Sequence, residues 1–427
     1  MTPAEMKTAP DVSPEELRPA LKDSPQRWWL MVLLVLAMIF CYAQRGALSV
    51  AAPFMLKDGV FSLKEMGLLL SAFSWMYCFM QIPSGWLVDR FGVRLAYALG
   101  YAFWSVTTIL TGMTKSLAML AGLRVSLGMG QAVAFPASAR AVANGFQDRE
   151  RGTVVGLYLA GVRLGAALIS WIGALFLVHY SWRLFFVTIG VAPLIWLAPW
   201  MWFQGKWEKR NGGAASHELP GQGQSFIASL ALLRHRSILG IFLGFFAYDY
   251  AWFVYFNWSN TYLMGERKFS ATEMGSFTAL SYLVMMVFIL LSGIASDWLV
   301  RRGYAEMKTR KTFIAAGLLI GCAIVPAGLV ENRLTAVWLL MLSISGIGIA
   351  SPNAWTLTQA VCAKKLVGTA SGVQNFGGNL GGIIAPWLTG YIVDKTGSFA
   401  RAFGLTGIIL IAGIIAYLSL VKDKVED

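Results

Sequence analysis

The chain has 427 residues, of which 57% are hydrophobic and only 13% are charged, whereas a soluble domain carries roughly 25% charged residues. This composition excludes an ordinary soluble fold and suits a protein whose solvent is lipid. In a soluble protein the net charge of +13 would suggest nucleic-acid binding, but these cations lie between apolar segments, as in the cytoplasmic loops of membrane proteins. We therefore expect no nucleic-acid partner and a lipid bilayer around the chain.

The predicted elements begin after a polar tail. Residues 1–26 are rich in Pro, Lys, Glu and Asp and lack an apolar core, which predicts a disordered tail and not a cleaved signal peptide. From Trp28 to Leu420, apolar segments follow one another that are long enough to cross a hydrocarbon core of about 30 Å. The sequence predicts an all-α integral membrane protein with twelve transmembrane helices, near 28–56, 63–88, 94–114, 117–144, 152–178, 182–204, 237–264, 271–300, 310–330, 335–360, 368–393 and 400–421.

The longest polar interruption, residues 205–236, divides these helices into two groups of six. It is predicted to link an N-terminal six-helix bundle at 27–204 to a C-terminal one at 237–421, which is followed by a tail at 422–427. Basic residues recur in alternate gaps between the helices. This positive-inside pattern predicts a multi-pass plasma membrane protein, favouring the inner membrane of a bacterium, with the linker and both termini in the cytoplasm.

The two halves are related in sequence. The pattern F-S-x-x-E-M-G begins at Phe61 and again at Phe269, and the pattern G-T-x-x-G begins at Gly152 and again at Gly368. Helices two and five are thereby predicted to correspond to helices eight and eleven. Parallel six-helix repeats of this kind place a solute site between the halves near the middle of the membrane, where one half can rock against the other. This architecture predicts a transporter.

A polar loop between helices two and three carries the first family resemblance. The segment Gly85-Trp-Leu-Val-Asp-Arg-Phe-Gly-Val-Arg94 resembles the signature loop of the major facilitator superfamily, and residues 293–303 are a degenerate copy that retains Asp297. In this loop we expect Asp89 to pair with arginines such as Arg90 and Arg94, and Asp297 to occupy the corresponding second-half position. Such contacts could stabilise one conformation of the transporter. The alternative is an ordinary cytoplasmic loop that follows the positive-inside pattern and contains a local ion pair.

Further segments resemble the anion:cation symporter family, which includes bacterial sugar-acid transporters and vesicular organic-anion carriers. They are R-G-A-L-S-V-A-A-P from Arg45, S-A-F-S-W-x-Y ending at Tyr77, Arg124, and G-V-Q-N-F-G-G-N-L-G-G around Asn375. The resemblance to the galactonate branch implies that Arg45, Tyr77 and the Asn375 region bind substrate, and that Arg124 links this site to proton binding.

One departure from the family concerns proton coupling. The family's proton-carrying Asp corresponds to Gln44, and its Glu after the second arginine corresponds to Gln131. A glutamine side chain can donate and accept hydrogen bonds but cannot titrate. The family's route for proton coupling is therefore not expected to operate in this chain, and the coupling ion, a proton or sodium, stays open.

Three arginines lie within the predicted helices: Arg45, Arg124 and Arg163. A charge at the centre of a bilayer costs at least about 2.5–3.5 kcal/mol on insertion scales, so intramembrane charge indicates function by default. An arginine keeps its charge and presents a planar fork to a carboxylate, which suits an anion site. Arg163 occupies the repeat position of Asn379, and both are expected to face the cleft. The alternatives are helix packing or snorkelling towards the interface.

A single carboxylate, Asp249, lies deep within an apolar helix. Left unpaired it could carry a proton, whereas paired with Arg45 or Arg163 it would serve as a gate, and the sequence favours the paired arrangement slightly. Trp252 shares its helix face and is the best aromatic candidate for the pocket. Three cations against one acid predict a cleft with a net positive charge, which an anionic solute would neutralise.

The predicted function is secondary transport of a small organic anion by alternating access, with a sugar acid favoured among carboxylates. A facilitator that exports a metabolite, a drug or a polycarboxylate metallophore is the alternative, and an anion receptor that does not transport is an alternative of another class. The four cysteines show no metal-binding spacing, and no nucleophile–base pair or nucleotide loop is found. We therefore expect no enzyme activity, no cofactor and no metal, and a monomeric protein.

Overall fold

The computed structural model describes residues 27–210, 231–363 and 366–425. The predicted tail at 1–26, residues 211–230 of the predicted linker, Lys364, Lys365 and the last two residues lie outside this described part. Within it the chain is helical, apart from short connections and one isolated parallel bridge between Cys362 and Val425.

The first half contains six helices. α1 is Arg27–Lys57, and the next helical run, Leu63–Met113, is divided at Gly92 into α2 (63–91) and α3 (93–113). Gly92 has φ 76° and ψ 155°, a conformation that residues with a side chain rarely adopt. The remaining helices are α4 (Leu117–Gln131, continuing as Ala134–Gly145), α5 (Asp148–His179) and α6 (Trp182–Val191, through a 3-10 turn at Ala192–Trp196, to Leu197–Arg210).

The second half also contains six helices, preceded by a 3-10 turn at Ala231–Arg234. They are α7 (Arg236–Thr261, ending in a π-helical turn at Tyr262–Glu266), α8 (Ala271–Arg301), α9 (Glu306–Gly321, continuing as Ile324–Leu329), α10 (Arg333–Val361), α11 (Val367–Thr396) and α12 (Phe399–Leu420). The twelve-helix, two-bundle prediction is confirmed.

Ten helical segments of the described chain are long and apolar enough to cross a membrane. α2 is represented among them only from Pro83 onwards, and α11 is not among them. α2 and α11 pack against each other across the halves. α11 is interrupted by glycines and by the amides of Gln374, Asn375 and Asn379, and protein covers its glycines, since a Cβ atom at Gly377 or Gly390 would lie within 3 Å of α7 or α2.

The repeats predicted from sequence recur as matching contacts. α2 and α8 start with the same capping box, in which Ser62 and Glu65, or Ser270 and Glu273, each satisfy the other's backbone N–H. α2 packs on α11 and α5 packs on α8. Because α2 corresponds to α8 and α5 to α11, these two contacts are the same interface repeated by the pseudo-symmetry.

The halves meet closely at the end of the molecule where α1 ends and α2 begins, here called the α1–α2 end. A Cβ atom at Gly67 would lie 2.8 Å from the Pro386 carbonyl of α11, and one at Gly275 would lie 2.6 Å from the Ser170 carbonyl of α5. At the opposite end, here called the Gly92 end, a Cβ added to α5 or α11 at Gly152, Gly156, Gly368 or Gly372 would meet none of the described atoms within 4 Å. Among the described residues, the cleft is thus closed at the α1–α2 end and open at the Gly92 end.

Candidate functional site

Arg45 lies in a cage of aromatic rings within the first half. Its side chain is 6% exposed, and its guanidinium carbon lies 4.4 Å from the ring centre of Tyr42, 4.5 Å from that of Phe73 and 4.4 Å from that of Tyr77. Arg45 Nη1 donates to the Tyr42 hydroxyl at 3.2 Å. The third nitrogen, Nη2, is buried without a hydrogen-bond partner. The predicted substrate residues Arg45 and Tyr77 are therefore brought together, with one donor free.

Gln131 holds Arg45 from α4. Its Oε1 accepts a hydrogen bond from Arg45 Nε at 3.1 Å, and its Nε2 donates to the Cys41 carbonyl at 3.0 Å. Gln44 faces another way: its Nε2 donates to the Ile189 carbonyl of α6 at 2.8 Å, while its Oε1 is buried without a partner. Gln131 is thus in direct contact with the central arginine, whereas Gln44 ties α1 to α6.

Arg124 is the second buried cation and is 3% exposed. Its guanidinium carbon lies 5.6 Å from the ring centre of Phe73, the ring that also contacts Arg45. Its Nε is buried without a hydrogen-bond partner. Within the described ranges, no carboxylate lies within ion-pair distance of either arginine. Two positive charges therefore share one buried region with no acid to neutralise them.

Arg163 of α5 contacts the second half of the molecule. Its guanidinium carbon lies 4.1 Å from the ring centre of Trp252 on α7. Trp252 is 7% exposed and packs on Phe256 and Tyr282. Arg163 also lies within electrostatic reach of Tyr42, next to Arg45. The predicted residues Arg163 and Trp252 are therefore in contact, and Arg163 adjoins the Arg45 cage.

Asp249 is half-buried and lies against α11. A Cβ atom at Gly378 would lie 2.0 Å from Asp249 Oδ2, so the carboxylate occupies the space that a side chain at this position would take. Arg163 is the cation whose field acts on Asp249, yet the two side chains do not form an ion pair, and no described residue bonds to the carboxylate. The slightly favoured pairing with Arg45 or Arg163 is thus not found in this conformation.

Asn375 and Asn379 lie one helical turn apart on α11, on either side of the Asp249 contact. Asn379 is buried, and its Nδ2 donates to the Asn375 carbonyl at 2.9 Å. The side chain of Asn375 is half-buried and makes no hydrogen bond with the rest of the described chain. Their role in binding stays a prediction, and Asn375 has the freer amide.

The predicted gating residues lie at the Gly92 end, apart from the arginine cage. The nearest cation to Asp89 is Arg140 of α4, at 3.9 Å, and Asp297 pairs with Arg310 of α9 at 2.6 Å. Among the loop arginines, Arg90 stacks on Trp86 and Phe91, and Arg94 packs against Gly205 of α6. The expected pairing of Asp89 with its sequence neighbours is replaced by pairing across helices, because a neighbouring helix brings a long side chain closer.

Sequence reasoning missed three residues of these sites. Tyr42 and Phe73 supply two of the rings around Arg45, and Arg310 is the buried partner of Asp297. Tyr42 is three residues before Arg45 and so on the same helix face, a signal that was available. Phe73 lies inside the quoted segment ending at Tyr77 but was not singled out. Arg310 begins the predicted ninth helix directly after several other basic residues, and nothing in the sequence distinguishes it from them.

Comparison with known proteins decides the family. The model of the Major Facilitator Superfamily matches residues 34–386, which is most of the chain. The chain belongs to this superfamily. It is a membrane transporter, as predicted, and not an enzyme.

Curated relatives resemble the chain over nearly its whole length. It is 32% identical to the D-galactonate transporter of Escherichia coli O6:H1, over 95% of this chain and 97% of that protein. It is 30% identical to a probable galactarate/D-glucarate transporter of Escherichia coli K12 (93% and 95%) and to the hexuronate transporter of Bacillus subtilis (92% and 94%). The predicted resemblance to sugar-acid transporters is confirmed.

Solved structures share the fold. A bacterial homologue of the human lysosomal transporter Spinster, in an inward-facing and unoccupied conformation, superposes with a TM-score of 0.77 at 17% identity, covering 95% of this chain and 99% of that one. A nucleoside transporter superposes with a TM-score of 0.73 at 13% identity, covering 92% and 100%. At these identities the likeness concerns the fold alone.

Proposed function

We propose that this protein transports a sugar-acid anion across the membrane by alternating access. One observation carries the proposal: Arg45 and Arg124 are buried around the same ring of Phe73, and no described carboxylate pairs with either. An uncompensated buried charge costs several kcal/mol, and two of the same sign repel each other. A carboxylate that enters this region relieves both costs at once.

The free donors fit a carboxylate. Arg45 Nη2 and Arg124 Nε have no hydrogen-bond partner, and a guanidinium binds a carboxylate through two parallel hydrogen bonds. In the proposed complex these two arginines grip the acid group, while Tyr77 supplies a ring beside it. Gln131 fixes Arg45, Gln44 holds α1 against α6, and Arg163, Trp252, Asn375 and Asn379 complete the site from the cleft and from α11.

The relatives favour a sugar acid over other carboxylates. The proteins named above are transporters of galactonate, of hexuronate and, in one probable case, of galactarate and D-glucarate. Galactonate and the hexuronates combine one carboxylate with several hydroxyl groups, and galactarate and D-glucarate combine two carboxylates with several hydroxyl groups. The polar amides of α11 and the phenols of Tyr42 and Tyr77 can bond such hydroxyls as donors or acceptors.

The two ends of the cleft support alternating access. With the halves closed at the α1–α2 end and apart at the Gly92 end, a solute reaches the arginines from the Gly92 end only. By the positive-inside rule we place the Gly92 end and both termini in the cytoplasm of a bacterial cell, in its plasma membrane. We propose a monomer in which a proton or sodium ion provides coupling without a carboxyl group at positions 44 or 131.

Reconstitution tests the proposal. The purified protein in liposomes preloaded with unlabelled D-galactonate is expected to take up radiolabelled D-galactonate by counterflow, and gradients of protons or sodium then identify the coupling ion. A neutral hexose serves as the control solute and should not compete. Failure of counterflow with galactonate, hexuronate and galactarate alike would reject transport of sugar acids, and binding without flux would indicate a receptor.

A further inference from the structure

The cleft has two chemically different regions, here called its first pole, at Arg45 and Arg124, and its second pole, at Asp249. At the first, Arg45 and Arg124 are buried cations, and no carboxylate of the described ranges forms an ion pair with either. At the second, the Asp249 carboxylate lies against α11 at Gly378 and faces Arg163. A solute that spans both poles therefore meets unopposed positive charge at one end and a carboxylate at the other.

We propose that Asp249 is a specificity-determining residue that binds the hydroxyl-bearing end of a sugar acid and excludes a second carboxylate there. The inference rests on the proposed function, and it names the substrate class as polyhydroxy monocarboxylates, aldonates above all. Aldarates, which carry a carboxylate at each end, are the excluded class.

The contacts around Asp249 leave its oxygens available to a ligand. Oδ2 lies at Gly378, one residue before Asn379 and three after Asn375, so the carboxylate adjoins the stretch of α11 that carries these two amides. No described residue forms a hydrogen bond or an ion pair with it. A carboxylate accepts hydrogen bonds through both oxygens, and the hydroxyl groups of a sugar acid supply the donors.

The neighbours of Asp249 favour hydroxyls over a second acid. Arg163 and the phenol groups of Tyr248 and Tyr417 lie within its electrostatic reach. A hydroxyl group can donate to Asp249 and accept from Arg163 at the same time, whereas a carboxylate can only accept. A carboxylate at this pole would use Arg163 but would face Asp249 as a like charge, which costs several kcal/mol at close range.

The position of Arg163 supports this division of roles. Its guanidinium stacks on the face of Trp252, three residues after Asp249 on α7, instead of pairing with the carboxylate. The N–H groups of a guanidinium point outward in its own plane, so those that do not reach the Tyr248 phenol are directed past the ring of Trp252. Arg163 can thus donate to the solute while Asp249 accepts from it.

The test compares two probe acids in the isosteric variant Asp249→Asn. For the wild type in detergent, titration calorimetry is expected to give at least about 10-fold tighter binding of D-galactonate than of galactarate. In Asp249→Asn the ratio should fall to about one or invert, because the amide removes the repulsion while weakening the bonds to hydroxyl groups. Asp394→Asn, the same change at an exposed position of α11, is the matched control and should keep the wild-type ratio.

Each outcome separates this inference from the proposed function. If the wild type binds both acids and Asp249→Asn leaves their ratio unchanged, the specificity role is rejected while sugar-acid binding stands. The role is also rejected if the variant keeps the ratio but loses only accumulation driven by a proton gradient, which would make Asp249 a coupling group. If the wild type binds neither acid nor hexuronate, the proposed function fails. A thermal melt of Asp249→Asn within about 3 °C of the wild type shows that the variant is folded.

Discussion

The cage around Arg45 and the region between Arg163 and Asp249 differ in how firmly their charges are held. In the cage, three rings and the amide of Gln131 fix a buried guanidinium, and all these residues belong to the first half. Between the halves, Arg163 and Asp249 come from different bundles, are only half-buried and form no ion pair. The cage is thus arranged before a solute arrives, whereas the second region changes with every movement of the halves.

The difference indicates a division of labour. A preorganised cation contributes affinity because little rearrangement is needed on binding. Groups that approach from two moving bundles respond to conformation and to the shape of the solute. We therefore expect variants in the cage to lower affinity for every carboxylate, and variants between the halves to change selectivity or the balance between open and closed ends.

The largest expected effect is at Arg45. Truncation of one partner in a buried charged contact costs about 2–5 kcal/mol, so Arg45→Ala should weaken D-galactonate binding by at least about 30-fold. Arg45→Lys keeps the positive charge but loses the planar guanidinium that can donate two parallel hydrogen bonds to a carboxylate, so this variant should retain part of the affinity. Titration calorimetry measures both. Unchanged affinity in Arg45→Ala would remove the cage from the substrate site. The cage would then not be the region that supplies affinity.

A smaller effect is expected from Arg163, and a smaller one still from Asn379. Arg163→Ala should weaken binding by about 10-fold through the loss of a charged donor. Asn379→Ala should weaken it by about threefold or less, because the Asn379 amide already donates to the Asn375 carbonyl within its own helix. The same calorimetric titration tests the order. A larger loss for Asn379 than for Arg163 would place the solute against α11 and away from α5.

Ser49 lies at the closed α1–α2 end. Replacing it by Ala is expected to have the smallest effect on binding but a clear effect on conformation. Its hydroxyl donates to the Asn257 carbonyl at 2.9 Å and accepts from Asn260 Nδ2 at 3.0 Å, and Asn260 Oδ1 in turn accepts from Thr278 at 3.0 Å. All four residues are buried. Ser49→Ala removes two hydrogen bonds of about 1 kcal/mol each. The equilibrium between the closed and the open conformation of this end is therefore expected to shift roughly 5- to 30-fold towards the open one.

Ser170→Ala provides the matched control for this shift. Ser170 is equally buried at the same end, but its hydroxyl bonds to the Ala166 carbonyl of its own helix at 2.8 Å. Spin-label distances across the α1–α2 end should lengthen in Ser49→Ala and not in Ser170→Ala. Equal distances in both variants would show that the bonds of Ser49 do not hold the halves together.

The fold was largely predictable from the sequence, and the site only in part. Spans of about 20 apolar residues and two repeated motifs suffice for twelve helices in two related bundles, because lipid restricts the chain to such structures. Arg45 could be predicted as a candidate site residue because a charge inside the membrane is costly and indicates function. Two features could not be predicted from the sequence: the ring of Phe73 that two arginines share, and the pairing of Asp297 with Arg310. Both depend on which helices become neighbours.

The two hydrogen bonds of Gln131 have a consequence for energy coupling. Its Nε2 donates to the Cys41 carbonyl while its Oε1 accepts from Arg45. A glutamate at this position could make both contacts only as the neutral acid, with its O–H donating to Cys41 and its C=O accepting from Arg45. The amide makes both contacts at every pH, because a glutamine side chain does not titrate. Because the amide carries no charge, Gln131 holds Arg45 in place without neutralising it.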